Sequence, residues 1–419
     1  MLTTSRGLHD CIRGFLLIVA RGHSFALGIF LMTSRRTFLA SGAAALQLPS
    51  DRIRLGLIGA GGRSRDLLNE IVKSSENAAV VAVCDVYRVA RENAAAFCQK
   101  RWNVTPKLTS RYQELLPMKD VDAVLIAAPD FTHSRMLIDA VAAGKDAYCE
   151  KPMGIRLDEA RTAYRAVKAG NRVVQIGTQR RSDPGVIGAA KVIQAGTIGK
   201  VTRSDMQYHF HEPRWRRDYH QINPDDIDWQ AWSFDRGLPK DMRLWREWQL
   251  FRDTSNGIPG LWLSHLIDLA AWFLNDPYPR SAVSSGGVYL WKDGRQTSDV
   301  FHTLVEYPKD CLVSFAMSLT NSAGGRNLWF GTLGTLNLET LTVTGEGSRD
   351  PKRIQETIKI EPVPVESHMA NFLRCVRSRQ TPRADIQAGF SHAVAGIMSA
   401  TALETGRRVT FNPQTLEIG

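Results

Sequence analysis

The stretch RLGLIGAGGRS, residues 54–64, decides the fold. Leu55, Leu57 and Ile58 make a short apolar run bounded by glycine, the pattern of a strand buried on both faces. Gly59, Gly61 and Gly62 follow at once, and residues 66–72 read as the opening of a helix. Strand, glycine turn and helix start together predict a phosphate cradle. Without Cβ atoms the backbone approaches a pyrophosphate closely, and amides at the helix N-terminus stabilise its charge. Ser64 stands where the third glycine of a G-x-G-x-x-G turn would be, and it is small enough for close helix–strand packing.

Working outward, residues 80–84 read as a second buried strand that ends at Asp85, close to the separation at which an acid meets the ribose 2′-hydroxyl of NAD. A carboxylate there repels a 2′-phosphate, which favours NAD over NADP, although Arg88 is near enough to soften the preference. Strand and helix candidates alternate over residues 51–178. The strand at 123–128 ends in Pro129-Asp130-Phe131-Thr132-His133, at a carboxyl edge where open α/β sheets bind ligands. The strand at 147–149 runs into Glu150-Lys151-Pro152-Met153, and a strand at 173–177 completes a Rossmann-like, doubly wound parallel sheet.

Beyond Gln179 the character changes. A helix at 188–195 and a strand at 201–210 precede a long polar, tryptophan-rich connection, residues 211–261. Segments 282–290, 301–307, 312–320 and 328–332 alternate in the manner of antiparallel strands, and helices at 366–378 and 385–405 lead to a short terminal strand. The prediction is an NAD-binding domain over 51–178 and an α+β substrate and oligomerisation domain over 179–419, its sheet large, open and mostly antiparallel.

Composition narrows the function classes. A hydrophobic fraction of 43% with 23% charged residues excludes disordered and fibrous chains. The net charge of +11 comes from basic residues scattered singly among acids, so it reads as a solvated surface and not as a nucleic-acid footprint. The six cysteines have no spacing suited to zinc or to a redox dithiol, and no metal site is expected. Near the start, apolar patches are interrupted by Arg21, Gly22 and His23, short of the roughly 18–20 residues that a stable membrane span needs. Ser34-Arg35-Arg36-Thr37-Phe38-Leu39-Ala40, followed by small and apolar residues 41–48, resembles a twin-arginine export signal. Residues 1–50 are therefore set apart as a targeting segment, with Met32 the expected initiator. Engagement of the export machinery and a periplasmic or other extracytoplasmic location are expected, with a cytoplasmic one as the alternative.

The combination of GAGGRS, Asp85, Pro129-Asp130-Phe131-Thr132-His133, Gly144-Lys145, Glu150-Lys151-Pro152, Gly177-Thr178-Gln179 and Ser264-His265-Leu266-Ile267-Asp268 resembles the Gfo/Idh/MocA oxidoreductases, and the twin-arginine start resembles their exported branch. The resemblance implies a cofactor site of Gly59, Gly61, Gly62, Arg63, Ser64, Asp85, Ala128, Pro129, Asp130, His133, Glu150, Lys151 and Gln179, a cis bond before Pro152, and assembly into dimers or tetramers. Lys151, anchored beside the nicotinamide, would hydrogen-bond a substrate hydroxyl and stabilise developing alkoxide as hydride leaves carbon. The competing reading is a surface lysine paired with Glu150 or Asp130. His265 is implied as general base, with Asp268 three residues on and able to orient the imidazole; a buried histidine tying its helix to the sheet is the alternative.

One departure stands out. Sugar and inositol dehydrogenases of this kind usually carry an aspartate one turn before that histidine, and here the position is Leu261. Tyr208, His209, His211, Asp253 and the pair Arg180-Arg181 are candidates to replace it, and Arg180, Tyr208 and Asp268 are the candidate substrate residues. Trp215, Trp229, Trp232, Trp245, Trp248, Trp262 and Trp272 crowd one quarter of the chain, where they serve either sugar stacking or core packing. The expected function is hydride transfer between tightly bound NAD(P) and a secondary hydroxyl of a sugar or polyol. An NAD-dependent glycoside hydrolase that transiently oxidises C3, and a non-catalytic cofactor-binding protein, are the alternatives.

Overall fold

A computed structural model describes residues 51–234, 236–346 and 348–419. The twin-arginine motif lies outside the described residues. Buried apolar runs pair in parallel wherever helices cover both faces, and the first half of the chain follows that rule. Its elements are β1 (Ile53–Ile58), α1 (Gly62–Lys73), β2 (Ala78–Cys84), α2 (Arg88–Trp102), β3 (Lys107–Thr109), α3 (Tyr112–Leu115), β4 (Ala123–Ile126), α4 (His133–Ala142), β5 (Asp146–Cys149), α5 (Leu157–Ala169) and β6 (Val174–Ile176). The sheet order is β3-β2-β1-β4-β5-β6, all parallel. Chain direction across the sheet reverses between β1 and β4, so the loops after those two strands flank a crevice at the carboxyl edge, the switch point where such sheets take ligands.

The second half begins with α6 (Pro184–Gln194), whose N-terminus is capped by the Asp183 carboxylate accepting from the Gly185 and Val186 amides at 2.8 and 3.0 Å. After β7 (Val201–His211) come α7 (Trp229–Ser233), α8 (Met242–Arg246), a π-helical turn (Pro259–Leu263) and α9 (Ser264–Phe273). Strands β8 (Ser281–Gly287), β9 (Val300–Tyr307), β10 (Cys311–Ser318), β11 (Thr320–Gly331), β12 (Gly334–Asn337), β13 (Thr342–Gly345) and β14 (Ile358–Lys359) follow, then α10 (His368–Ser378), α11 (Ile386–Thr405), β15 (Val409–Asn412) and β16 (Glu417–Ile418). The ten strands run in the order β14-β13-β12-β11-β7-β10-β9-β8-β15-β16, antiparallel except for the β7–β10 pair.

The domains are fastened together by the C-terminal helices. α11 is buried along most of its length and lies against β6 and α5 of the first sheet as well as β8 and α9 of the second. A Cβ on Gly389 would come within 2.6 Å of Ile176, so only glycine permits this approach. α10 returns to the first domain: Met369, Phe372, Leu373 and Cys375 join the core beneath β1, β2 and α1, so the packing boundary departs from the expected 179–419 division. Five cysteines, Cys84, Cys98, Cys149, Cys311 and Cys375, are free and buried, packing as small hydrophobes. No described helix is long and apolar enough to cross a membrane.

Candidate active site

The crevice at the switch point opens into a cavity of about 1500 Å3. Its floor is the glycine turn. Gly59 has φ +88°, and a Cβ there would stand 2.6 Å from the Ala127 carbonyl oxygen, so this position admits glycine alone. At Gly61 and Gly62 a Cβ would meet nothing within 4 Å: both face open cavity at the start of α1. Ser64 is buried and its hydroxyl donates back to the Gly59 carbonyl, which closes the turn where a third glycine would otherwise pack. Asp85 holds the same turn from β2, accepting from the Ala60 amide at 2.6 Å and the Tyr87 amide at 2.8 Å. Desolvation pushes its carboxyl pKa up, against these two bonds. Arg88 is already engaged, with Glu92 at 2.7 Å and Asp226 at 2.9 Å.

Glu150 organises the cavity's centre. Its Oε1 accepts from Arg63 Nε at 2.7 Å and Gln179 Nε2 at 3.0 Å, and its Oε2 from the Lys151 amide at 3.2 Å. Gly177 makes room for this carboxylate, since a Cβ there would lie 2.7 Å from Glu150 Cδ. His133, 1% exposed, sets its two ring nitrogens 2.7 Å from the Ala128 and Pro152 carbonyl oxygens, fastening the end of β4 to the cis Lys151–Pro152 peptide. Its imidazole pKa is lowered by burial. Asp130, 2% exposed, accepts from Ser255 Oγ at 2.9 Å, and burial raises its carboxyl to about 7.

Lys151 and His265 line the same cavity as Gly59, Gly61, Arg63 and Asp85. Lys151 Nζ donates to the Leu261 carbonyl oxygen at 2.6 Å. The residue standing where an acid is expected thus meets the ammonium with its backbone, from the π-helical turn, a deviation often found at functional positions. Burial lowers the Lys151 pKa, with Asp130 and Glu150 opposing and Arg63 reinforcing. Burial, then the positive charges of Lys151 and Arg180, hold the His265 pKa well below its usual value, so the ring is neutral at neutral pH.

Three candidate substrate residues stand behind the cavity lining, engaged with protein partners. Asp268 is fully buried and takes Arg181 in a two-pronged ion pair at 2.8–3.0 Å instead of orienting the His265 ring. The physical reason is that a buried carboxylate needs a charged partner, and Arg181 supplies it. Arg180 donates to the Tyr208 hydroxyl at 3.1 Å, and that hydroxyl donates to Glu339 at 2.6 Å. Arg180 stands on the turn beside cavity-lining Gln179, close enough for its charge to act on His265, while Tyr208 lies on β7; neither is among the residues lining the cavity. Asp253 and His211 are exposed, and His209 lies on the sheet near His302 and Arg326.

The feature that sequence reasoning missed is where the tryptophan-rich connection goes. It crosses back over the first domain as a strap. The Asp228 amide donates to the Val86 carbonyl at 2.9 Å, Ser110 to the Asp228 carboxylate at 2.6 Å, Arg111 to Gln230 at 2.7 Å and Arg236 to the Phe131 carbonyl at 3.0 Å. Ile227, Trp232, Leu244 and Trp245 pack with Phe131 and Ile155 in a core of their own. Trp232, Trp245 and Trp248 therefore wall the cavity together with Arg217 and Gln249. Clustered tryptophans were the one signal in the sequence, and they did not say which domain they cover.

Comparison with known proteins agrees with this architecture. The profile of an oxidoreductase family's NAD-binding Rossmann fold matches residues 53–178, and that of the same family's C-terminal alpha/beta domain matches residues 229–411. An inositol 2-dehydrogenase of Klebsiella pneumoniae is 34% identical over 148 residues, 35% of this chain and 43% of that protein. One of Paracoccus denitrificans is 31% identical over 192 residues, 44% and 54% of the two chains. The chain thus spans about half the length of these curated relatives, or less. Among solved structures, the WlbA dehydrogenase of Bordetella pertussis in complex with NADH and UDP-GlcNAcA aligns with TM-score 0.65 at 18% identity, covering 86% of this chain and 99% of that one. A levoglucosan dehydrogenase in complex with NADH and levoglucosan aligns with TM-score 0.64 at 19% identity and the same coverage. At these identities the structural likeness concerns the fold.

Proposed function

Because this chain belongs to the Gfo/Idh/MocA oxidoreductase family, we propose that it oxidises a secondary hydroxyl of a sugar or polyol with NAD held across the carboxyl edge of the first sheet. The observation that carries the reading is that Lys151 and His265 share one cavity with the glycine turn and Asp85. The cradle fits a pyrophosphate: Gly61 and Gly62 leave open exactly the space that side chains would fill, and α1 begins there. Asp85 at the end of β2, with Arg88 tied to Glu92 and Asp226, supports NAD over NADP. When bound, the dinucleotide supplies the hydride acceptor.

The chain's own groups do the rest. Lys151 donates a hydrogen bond to the substrate hydroxyl oxygen and stabilises the negative charge that develops there as the C–H bond breaks. His265, neutral in its buried setting, receives the hydroxyl proton. Arg63 and Gln179 hold Glu150, which holds the Lys151 backbone in turn. The strap walls the cavity, which supports a retained cofactor, and the family relatives acting on inositol support a polyol or sugar. Export by the Arg35-Arg36 segment and assembly through the large open sheet are parts of the same proposal.

Incubating the full chain with NAD and a panel of polyols, aldoses and uronates tests it. Growth of the reduced-nicotinamide absorbance is expected, with a loss of at least ~100-fold in Lys151→Met, the low end of what a positioned acid or base contributes. Full activity in that variant overturns the assignment. Release of aglycone from a glycoside without accumulating NADH would replace it with the glycosidase reading.

A further inference from the structure

We propose that Arg217 and Arg246 form an anion site in the strap's part of the cavity wall, and that the substrate is an acidic sugar whose carboxylate or phosphate they hold. The inference rests on the substrate role given to this cavity above. Both arginines line it, together with Lys151 and His265.

The strap gathers Arg216, Arg217, Arg243 and Arg246 around one acid, Glu247, and the fold shares that acid unequally. Glu247 is fully buried; its Oε1 takes Arg216 Nε at 2.8 Å and the Arg217 amide at 2.8 Å, and its Oε2 takes Arg243 Nε at 3.0 Å. Two side chains and one backbone amide thus satisfy the carboxylate, and the guanidiniums of Arg217 and Arg246 are left over. Arg217 Nη1 donates to the Arg246 carbonyl oxygen and to Gln249 Oε1, both at 3.0 Å and both uncharged. These two bonds hold the side chain in place and leave Nε and Nη2 for another acceptor. Arg246 Nε reaches the Asp218 carbonyl oxygen at 3.4 Å, and its guanidinium lies 5.9 Å from the Trp245 ring. The Asp218 carboxylate is turned to its own loop, where it accepts the His220 amide at 3.0 Å.

Other cations of the cavity wall are neutralised within the protein: Arg63 by Glu150 at 2.7 Å, Arg111 by Asp228 at 3.5 Å and Arg236 by Glu159. Among the described residues, Arg217 and Arg246 form no ion pair. Like charges held side by side repel. Burial and then the Arg246 charge accordingly lower the Arg217 pKa, with Glu247 opposing. An anion between the two guanidiniums removes that repulsion, and the planar fork of arginine presents N–H groups spaced for two oxygens of a carboxylate or phosphate. Trp248, which lines the cavity beside Gln249, offers an apolar face to the ring that carries the acid. A neutral polyol would leave both charges without a partner, so the site selects by charge.

Calorimetric titration of the full-length protein in saturating NAD tests this with matched pairs: glucuronate against glucose, galacturonate against galactose, and a hexose phosphate against the hexose. In at least one pair the acid is expected to bind about tenfold tighter than its neutral counterpart, and Arg217→Met to reduce that preference about tenfold, the worth of a charge-assisted hydrogen bond. The pair that shows the preference tells carboxylate from phosphate. Arg246→Met is expected to act in the same direction and covers the case in which Arg217→Met fails to fold, while Arg217→Lys, which keeps the charge and loses the fork, should restore part of the preference. No preference in any pair, or a preference that survives in either folded methionine variant, overturns the proposal. So does a loss of NAD affinity in nucleotide-stripped Arg217→Met as large as the loss for the acid, which would assign the guanidinium to the phosphates of the dinucleotide. Failure of the dehydrogenase reading shows separately, as an Arg217-dependent preference for the acid in a protein that reduces no NAD with any member of the panel.

Discussion

Two glycines 118 residues apart in the numbering, Gly59 and Gly177, do for the site what no side chain could. Gly177 gives its Cβ space to the Glu150 carboxylate, which has no freedom to withdraw, because it accepts hydrogen bonds from Arg63, Gln179 and the Lys151 amide. Gly177→Ala should therefore destabilise the protein by about 1–3 kcal/mol, the usual cost of forcing volume into a packed site, and free Arg63 from its post. Gly61 makes the opposite case, since a Cβ there meets nothing. Gly61→Ala is expected to leave urea midpoints within ~0.5 kcal/mol of wild type while weakening NAD binding at least tenfold, measured by calorimetry on nucleotide-stripped protein. Equal effects of the two substitutions on both quantities would contradict this division of labour.

At the level of elements, the strap is what distinguishes this crevice from an open one. Arg236 is its inner clasp: it donates to the Phe131 carbonyl at 3.0 Å, pairs with Glu159 and lies 5.2 Å from the Phe131 ring. Removing a partly buried, charge-assisted clasp costs roughly 1.5–3 kcal/mol, so Arg236→Met is expected to speed NAD release by at least tenfold, followed by stopped-flow displacement. An unchanged off-rate would mean that the strap does not gate the nucleotide. The strap also marks where sequence reasoning stops. β1, the glycine turn, Asp85 and the strand ends carrying Lys151 were legible because each is a local pattern whose neighbours in space are neighbours in the chain. The strap's partners lie far off in the chain, 77 residues for Arg236 and Glu159 and 118 for Ser110 and Asp228, and nothing local in residues 211–261 announces them. Asp268 failed for a related reason: three-residue spacing placed it near the His265 face, but Arg181, from a turn before α6, claims its carboxylate.

Across the whole molecule, the buried titratable groups that join the two domains set how the fold responds to acid. His368 bridges the Ile176 carbonyl at 2.9 Å and Ser182 at 2.8 Å, and His392 accepts the Met153 amide at 3.2 Å, so one histidine from each C-terminal helix is fastened to the first domain beside the Lys151 loop. Burial depresses their pKa values to about 4 and about 3. In the unfolded chain both titrate near ~6.5. Between pH 6.5 and 4 the unfolded state thus binds these protons and the native state does not. The stability they contribute is fully present above 6.5 and lost as pH falls, at ~1.4 kcal/mol per pH unit for each. Asp130 runs the other way, because its raised pKa of about 7 keeps it protonated in the native state over a range where the unfolded carboxyl is ionised. Urea midpoints at pH 5, 5.5 and 6 separate the contributions: His392→Gln should flatten the loss of stability by ~1.4 kcal/mol per unit, and Asp130→Asn should steepen it by the same amount. Parallel slopes in wild type and His392→Gln would place that histidine in water's reach, and with it the seam that α11 closes between the cofactor domain and the large sheet.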